Sequence, residues 1–314
     1  MERLVVTLAV LATGCAALDD AREGWRIERE ARAAEARLAG VALPEVPADG
    51  WPTPDPGRVR VVISGGALRV DEAGARRRWR AAGFGGLPAP ITKNVGPPPA
   101  GSLLSPALYD ALHTAVEVEA LLPGPESDPP LELWAEADAP WDLLLTAAYS
   151  SYQAGFPRIG FAVSEPTGAR IVIPDPPPLC YARSDAPEPE PCLLPHVRVG
   201  RGGLTLRVEE QAMRRRSPPP TPTSSDDTRL AELAALLDAD SDCMYLSVAT
   251  DDSSPPAPAR PLAASDLGEA LSAIPGICPA LLLSAEDAVP WAEVAPVLAA
   301  LRARGQVWLS VAPP

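Results

Sequence analysis

Few side chains in this sequence have the types and spacing that catalysis requires. The 314-residue chain contains two histidines, His113 and His196, and neither has a cysteine, serine or acidic residue at a familiar catalytic spacing. The sequence also lacks a glycine-rich phosphate loop, a G-x-S-x-G turn and an H-E-x-x-H zinc motif. We therefore expect both histidines to be surface or edge residues. We also expect a non-enzymatic protein with no catalytic residue, cofactor or metal.

Two acidic pairs come closest to a catalytic arrangement. Glu136 and Asp138 precede one predicted helix, and Glu286 and Asp287 precede another. Paired carboxylates can act as acid and nucleophile in a hydrolase. Carboxylates before a helix also interact favourably with the helix dipole, without any catalysis. The dipole role is the simpler interpretation, and an unrecognised hydrolase stays as the least favoured alternative.

The N-terminus has the features of an export signal. An apolar run at residues 4–12 is too short to span a bilayer, and it leads into Ala12-Thr13-Gly14-Cys15. Small residues before a cysteine resemble the lipobox of bacterial lipoproteins. The resemblance implies that residues 1–14 are a signal peptide and that Cys15 is lipidated. An ordinary cleaved signal, or a buried cysteine in an amphipathic helix, is the alternative.

The residue after Cys15 bears on the membrane. It is Ala16 and not the aspartate that often retains lipoproteins at the inner membrane. We therefore expect a periplasm-facing protein that is lipid-anchored at the outer membrane.

The other four cysteines agree with an oxidising compartment. They are Cys180, Cys192, Cys243 and Cys278. Cys180 and Cys192 flank a proline-rich acidic loop, which favours a local disulfide between them. Cys243 and Cys278 could be bridged if their predicted strands are neighbours. Four buried free thiols are the alternative.

Composition limits the classes of partner. The net charge is −14, so the chain as a whole is not expected to bind nucleic acid. It contains 40 prolines, a residue type that fits poorly inside helices and central strands. Long connectors must therefore separate the packed parts.

An internal repeat is the most informative feature of the sequence. Residues 59–70 (VRVVISGGALRV) and 197–208 (VRVGRGGLTLRV) are identical at seven of twelve positions, at an offset of 138. Alternating apolar residues around Gly65-Gly66 and Gly202-Gly203 predict a β-hairpin in each.

A second matched pair follows in the same order. Pro140-Trp141 matches Pro290-Trp291 at an offset of 150. Each lies between a short apolar strand with an acidic turn and a helix that proline can start. The two pairs together predict a duplicated domain. Trp141 and Trp291 are candidate partner-binding residues, and core anchors are the alternative interpretation.

The predicted fold class is α+β. We expect two tandem ββαβαβ-like domains at residues 58–165 and 196–314, each a small mixed sheet with helices on one face. The second domain has an extra αβ element. A proline-rich acidic linker is predicted at 166–195.

Residues 15–57 are predicted to form a tether helix followed by a proline-rich linker. The helix has a narrow apolar stripe, formed by Ile27, Ala31, Ala34 and Leu38. Because its other positions are mostly charged or alanine, we expect a mostly solvated helix.

The order strand, acidic turn, Pro-aromatic, helix, glycine and strand resembles the periplasmic domain of the ExbD/TolR family of biopolymer transport proteins. Residues 285–311 are the closer match and residues 135–163 the looser one. The resemblance implies an α+β domain that binds envelope protein partners or peptidoglycan. The spanning helix of that family carries a proton-coupling aspartate, whereas residues 4–12 contain no acidic residue, so proton coupling is not implied.

These observations lead to one main expectation. The chain is a non-enzymatic, lipid-anchored cell-envelope protein that binds an envelope protein complex or peptidoglycan. A purely structural envelope lipoprotein is the alternative.

Overall fold

The computed structural model describes residues 21–47, 50–84, 91–99, 101–119, 131–156, 158–174, 190–214, 245–247, 260–277 and 280–309. The chain divides into two compact units. The first contains Met1–Pro174 and Ala285–Arg302, and the second contains Asp175–Ser284 and Ala303–Pro314. The predicted α+β class is confirmed, because two mixed sheets and six helices are formed in the described residues.

The helices are named here in chain order. They are α1 (21–38), α2 (Ala73–Ala81), α3 (Pro106–Glu119), α4 (Trp141–Gln153), α5 (Leu267–Ser272) and α6 (Trp291–Arg302). None of the helices in the described ranges has the length and apolar character that a membrane crossing needs.

The sheet of the first unit has six strands. They are β1 (Arg60–Ser64), β2 (Ala67–Asp71), β3 (Thr92–Gly96), β4 (Leu131–Ala135), β5 (Ile159–Glu165) and β6 (Gly168–Val172). Their spatial order is β3-β2-β1-β4-β5-β6. Strands β4 and β5 are parallel, as predicted for strands joined by a crossover helix. Strand β6 pairs with β5 and extends the sheet past the predicted domain end at residue 165.

Helix α4 crosses between β4 and β5 and packs on the sheet beside α3. Helix α4 ends at Gln153 with Ala154 as its C-cap, and the next residue, Gly155, adopts φ +111°, a conformation that favours glycine. A Cβ at Gly155 would lie 2.9 Å from Val116 Cγ1 of α3. The glycine is therefore required both by the backbone and by the close approach of the two helices.

Helix α1 packs on the first unit, which the expectation of a mostly solvated tether did not foresee. The predicted stripe of Ile27, Ala31, Ala34 and Leu38 is buried. Leu38 packs with Val62, Trp134, Ala162 and Ile171 of the sheet.

The opposite face of the first sheet is covered as well. Phe161 neighbours Ala162 in β5 and so faces the other way, where it contacts Trp291. The first sheet is therefore covered on both faces, and not on one face only.

The proline-rich segment at 43–57 also contacts the first sheet. Val46 N–H donates to Ser164 C=O, and Ser164 N–H donates to Pro44 C=O. Ile171 N–H of β6 donates to Pro52 C=O. The segment therefore supplies backbone partners to strands at one edge of the sheet, although composition alone indicated an extended spacer.

The second unit has a sheet with the same strand order. Its strands are β7 (Glu190–Gly200), β8 (Gly203–Arg214), β9 (Tyr245–Ser247), β10 (Arg260–Leu262), β11 (Ala280–Ala285) and β12 (Gln306–Leu309). The order β10-β8-β7-β11-β12 matches β3-β2-β1-β4-β5, and β9 pairs with the far part of β8. Strand β7 begins at residue 190, inside the predicted linker at 166–195.

The two hairpins differ in register. In the first, Arg60 pairs with Asp71. The ungapped match at an offset of 138 would therefore pair Arg198 with Glu209, but Arg198 pairs with Thr205. The second turn lies at Arg201-Gly202 and not at the predicted Gly202-Gly203. Residues that are identical in the aligned repeats thus do not occupy equivalent positions in the two hairpins.

The strand order also indicates which helices correspond. Helix α5 follows β10 and precedes β11, as α3 follows β3 and precedes β4. A short 3-10 turn at Ala264–Asp266 leads into α5. We therefore take α5 as the counterpart of α3. The other predicted helix of the second domain, at 228–238, lies outside the described residues.

Candidate functional site

The matched Pro-Trp turns of the two repeats meet within the first unit. Pro140 and Pro290 form an antiparallel bridge. Each turn is closed by a backbone hydrogen bond from the residue before its proline. Ala139 N–H donates to Glu136 C=O, and Val289 N–H donates to Glu286 C=O. We refer to residues 136–142 and 286–292 as the paired turns.

The paired turns exchange backbone hydrogen bonds reciprocally. Trp141 N–H donates to Val289 C=O at 2.9 Å, and Trp291 N–H donates to Ala139 C=O at 2.8 Å. The next residues repeat the pattern, with Asp142 N–H on Asp287 C=O at 3.1 Å and Ala292 N–H on Ala137 C=O at 2.8 Å. Each bond of one turn has its counterpart in the other.

This exchange provides caps for two helices. The first N–H groups of a helix have no partner within the helix. Pro140 is the N-cap residue of α4, whereas the sequence predicted it as the first residue of the helix. Its side chain forms no capping hydrogen bond. The carbonyl groups of the opposite turn take over the role that a serine or aspartate side chain usually has.

The two candidate partner-binding residues lie against each other. The rings of Trp141 and Trp291 are 6.3 Å apart with 19° between their planes, and they are 0% and 1% exposed. Phe161 contacts Trp291 at 5.4 Å. Both rings therefore occupy core positions in this chain, and the function of binding a partner through them stays a prediction. The buried Nε1 of Trp141 has no hydrogen-bond partner among the described residues.

The acidic residues of the paired turns have different surroundings. Glu136 accepts hydrogen bonds from Ser64 Oγ at 2.7 Å and from Gly65 N–H at 2.9 Å, so it holds the β1–β2 turn. Asp142 is exposed at the start of α4, yet partial desolvation, followed by the charge of Asp287, raises its pKa, which the Leu143 N–H partly opposes. We find no group of three or more possible metal ligands within the described part of the chain.

The two histidines have different environments. His113 is exposed on α3, where its Nδ1 lies 3.5 Å from Glu117. His196 lies on β7, and its Nε2 is 2.8 Å from Ser284 Oγ of β11. Sequence spacing gave no sign of this pair, because 88 residues separate its members and only the sheet brings them together. Ser284 is fully buried, so its hydroxyl is not accessible to a substrate, and the contact links β7 to β11.

A buried charge network in the first unit was not anticipated from the sequence. Arg60 Nε of β1 donates to Glu132 Oε2 of β4 at 3.0 Å, and both residues are buried. Glu35 of α1 accepts from Arg60 at 3.1 Å, and Asp55 N–H donates to Glu132 at 2.7 Å. Trp134 Nε1–H donates to Glu132 at 3.0 Å. Burial opposes ionisation of Arg60, yet Glu132 and Glu35 raise its pKa above the usual value.

This network ties the N-terminal segment to the sheet. Its members come from α1, from the proline-rich segment and from two central strands. A weak sign of it is present in the sequence: Glu132 interrupts the apolar run LELW. A charge inside a central strand needs a buried partner.

The cysteine predictions lie largely outside the described residues. Cys15, Cys180, Cys243 and Cys278 are outside them, and for Cys192 only the backbone, in β7, is described. Lipidation at Cys15 and the disulfides stay predictions.

Comparison of the chain with known protein families, with curated proteins and with solved structures finds no match. The fold defines the chain as an α+β protein with two mixed sheets of related strand order in its described residues.

Proposed function

We propose that this chain is a non-enzymatic, lipid-anchored cell-envelope protein. Its two ExbD/TolR-like domains bind an envelope protein complex or peptidoglycan, and it has no proton coupling of its own. The protein faces the periplasm and is anchored at the outer membrane through Cys15.

One observation carries this proposal. Both segments with the family-like pattern fold as a strand, an acidic Pro-Trp turn, a helix and a parallel strand, as the resemblance implies. In the first unit these are β4, α4 and β5, and the later segment comprises β11, α6 and β12. Among the acidic groups of the turns, Glu136 serves local structure, because it is bound to a neighbouring hairpin. This arrangement supports a binding or scaffolding role over hydrolysis.

Lipidation is tested by labelling cells that express the chain with a clickable palmitate analogue. We expect label on the wild-type chain, loss of the first 14 residues, and no label on Cys15→Ala. Cys15→Ala removes only the thiol, and its expression level serves as the control. An unlabelled wild-type chain would reject the anchor.

Binding is tested with isolated peptidoglycan and with in-cell crosslinking. We expect the folded chain to sediment with peptidoglycan, or to form a discrete crosslinked species with an envelope protein. The heat-unfolded chain and an insoluble cellulose pellet are the controls. Failure of both assays would leave the structural lipoprotein as the function.

A purely structural role predicts a different outcome for variants of the paired turns. If the chain is only structural, Trp141→Ala and Trp291→Ala change stability and leave every association unchanged. A loss of association at a temperature where the variants remain folded would favour partner binding.

A further inference from the structure

The outward face of α1 carries arginine and tryptophan side chains. Arg22, Trp25, Arg29 and Arg32 are exposed and follow one another at helical spacing. Trp25 is 62% exposed, more than any other large hydrophobic side chain in the described residues. The Arg29 guanidinium lies 5.1 Å from the centroid of the Trp25 ring. We call these four residues the basic face of α1.

The opposite face of α1 fixes its orientation. The apolar stripe is buried against the first unit, so the basic face points away from it. Glu28 lies 3.0 Å from Arg77 of α2, and Glu35 lies 3.1 Å from Arg60. Two glutamates of the helix are thus held by arginines of the first unit. Glu30 lies 3.5 Å from Arg29 and offsets part of its charge.

The basic face stands out in an acidic protein. The net charge of the chain is −14, yet three of the four residues of the basic face are arginines. Folding alone does not call for an exposed tryptophan flanked by arginines. Arginine binds phosphate through its planar fork, and tryptophan favours the headgroup level of a bilayer.

The position of the helix in the sequence indicates the partner. The described part of α1 begins at residue 21, six positions after Cys15. An acyl group there would hold α1 next to the bilayer. A surface that an anchor holds beside the bilayer meets the lipid headgroups at a high effective concentration, so even a weak contact would be occupied.

We propose that the basic face of α1 binds the anionic phospholipid surface of the membrane in which the protein is anchored. The arginines contact lipid phosphates and Trp25 enters the headgroup layer, while the buried stripe keeps the helix attached to the first unit. This inference rests on the proposed lipid anchor for its location, but the surface chemistry can be tested without the anchor.

The test uses the full chain carrying Cys15→Ala, which cannot be acylated at that position. Sedimentation is measured with vesicles of phosphatidylcholine alone and with vesicles that also contain phosphatidylglycerol. Residues 4–12 can contribute to binding on both, so the readout is the ratio between the two vesicle types. We expect a preference for the anionic vesicles that falls in high salt, since screening weakens the attraction.

Two triple variants, each lacking three positive charges, test whether the preference for anionic vesicles depends on the basic face. Arg22→Gln, Arg29→Gln and Arg32→Gln together should reduce the preference by roughly a hundredfold, because each basic residue near an anionic surface contributes about fivefold. Arg201→Gln, Arg260→Gln and Arg304→Gln alter exposed arginines of the second unit and should keep the preference. Trp25→Ala should weaken binding to both vesicle types. Circular dichroism checks that each variant is folded.

Equal binding to both vesicle types by the parent chain would overturn the proposal, as would equal losses in the two triple variants. Crosslinking to an acidic protein that needs the same arginines, without vesicle binding, would point to a protein partner and would also overturn it. Absence of palmitate label on Cys15 would reject the anchor and leave the vesicle result unaffected, so the two failures are distinguishable.

Discussion

At the scale of single residues, the Arg60–Glu132 pair has the clearest energetic consequence. Both side chains are buried between central strands, where an ion needs a partner of opposite charge. Three further groups complete the arrangement: Glu35 and Asp55 C=O accept from Arg60, and Trp134 donates to Glu132. Removal of Arg60 therefore leaves Glu132 buried without an opposite charge, and removal of Glu132 leaves Arg60 with only the half-exposed Glu35.

Glu132→Gln should lower the free energy of unfolding by about 3 kcal/mol or more, as expected when one member of a buried ion pair is removed. Urea denaturation of the purified chain measures this. The matched control is Glu30→Gln, which alters a surface pair with Arg29 and should change stability by less than about 0.5 kcal/mol. Equal effects of the two variants would contradict the assignment.

Asp142 provides a pH-dependent prediction. Partial desolvation of this exposed residue, and then the charge of Asp287, raise its pKa in the folded state. The folded chain therefore binds this proton more tightly than the unfolded chain. The ionised group costs stability above the folded pKa, and the cost disappears as the pH falls toward the unfolded value of about 3.9.

Asp142→Asn should accordingly raise stability at neutral pH, and the gain should shrink as the pH is lowered to about 4. Denaturation of both proteins between these pH values gives the difference directly. Asp110→Asn, at an exposed position of α3, serves as the control. A gain that grows on acidification would contradict the stated sign.

At the scale of elements, the paired turns link two helices. Each turn supplies the carbonyl groups that the other helix requires, and stacked tryptophans fill the space between them. Backbone bonds of this kind contribute about 1 kcal/mol each, and a fully buried aromatic contributes more.

Trp141→Ala and Trp291→Ala should each lower the free energy of unfolding by about 3–5 kcal/mol. The double variant should lose less than the sum, because the rings contact each other. Thermal and urea denaturation of the four proteins measure this cycle. Trp25→Ala is the control and should have little effect on stability, since that ring is exposed. Additive losses would contradict a direct ring contact.

At the scale of the whole molecule, the first unit uses chain from both repeats. Ala285–Arg302 belongs with Met1–Pro174, although β11 and β12 on either side of α6 lie mainly in the second unit. Trp141 stacks on Trp291 and donates its N–H to Val289 C=O, and the Phe161 ring contacts Trp291, so both rings are packed against the later segment. The sequence boundaries of the repeats are thus not the boundaries of the packed units.

A chain that stops at Pro174 should be less stable than the full chain and should bind a hydrophobic dye, since it lacks the segment that covers Trp141. Adding a peptide of residues 285–302 should raise its melting temperature. The same peptide with Trp291→Ala should not. Full stability of the short chain without peptide would contradict the assignment of Ala285–Arg302 to the first unit.

Much of the fold was predictable, because it depends on local patterns. Alternation and turn glycines placed the hairpins, and Pro-Trp with an acidic turn placed α4 and α6. The buried stripe of α1 was also visible as helical periodicity. Its docking on the sheet was not, since the stripe is narrow and gives no information about the surface that receives it.

The candidate site was less predictable. The sequence singled out Trp141 and Trp291, but not that they touch, and it gave no sign of the contacts of Arg60 or His196. Those contacts join residues far apart in the chain, and strand pairing decides them. The hairpin offset shows the limit of sequence matching, because Arg198 pairs four positions away from where the identity placed it.

The sequence by itself determined the α+β class, the positions of most of the described helices and strands, and the related turns, while lipidation at Cys15 stays a prediction. These depend on short-range periodicity, on proline and glycine, and on a local motif. Only the tertiary structure decided that α1 covers a sheet face, that the two turns cap each other's helices, and that α6 belongs to the first unit. Each of these needs complementary surfaces and hydrogen-bond partners from distant parts of the chain.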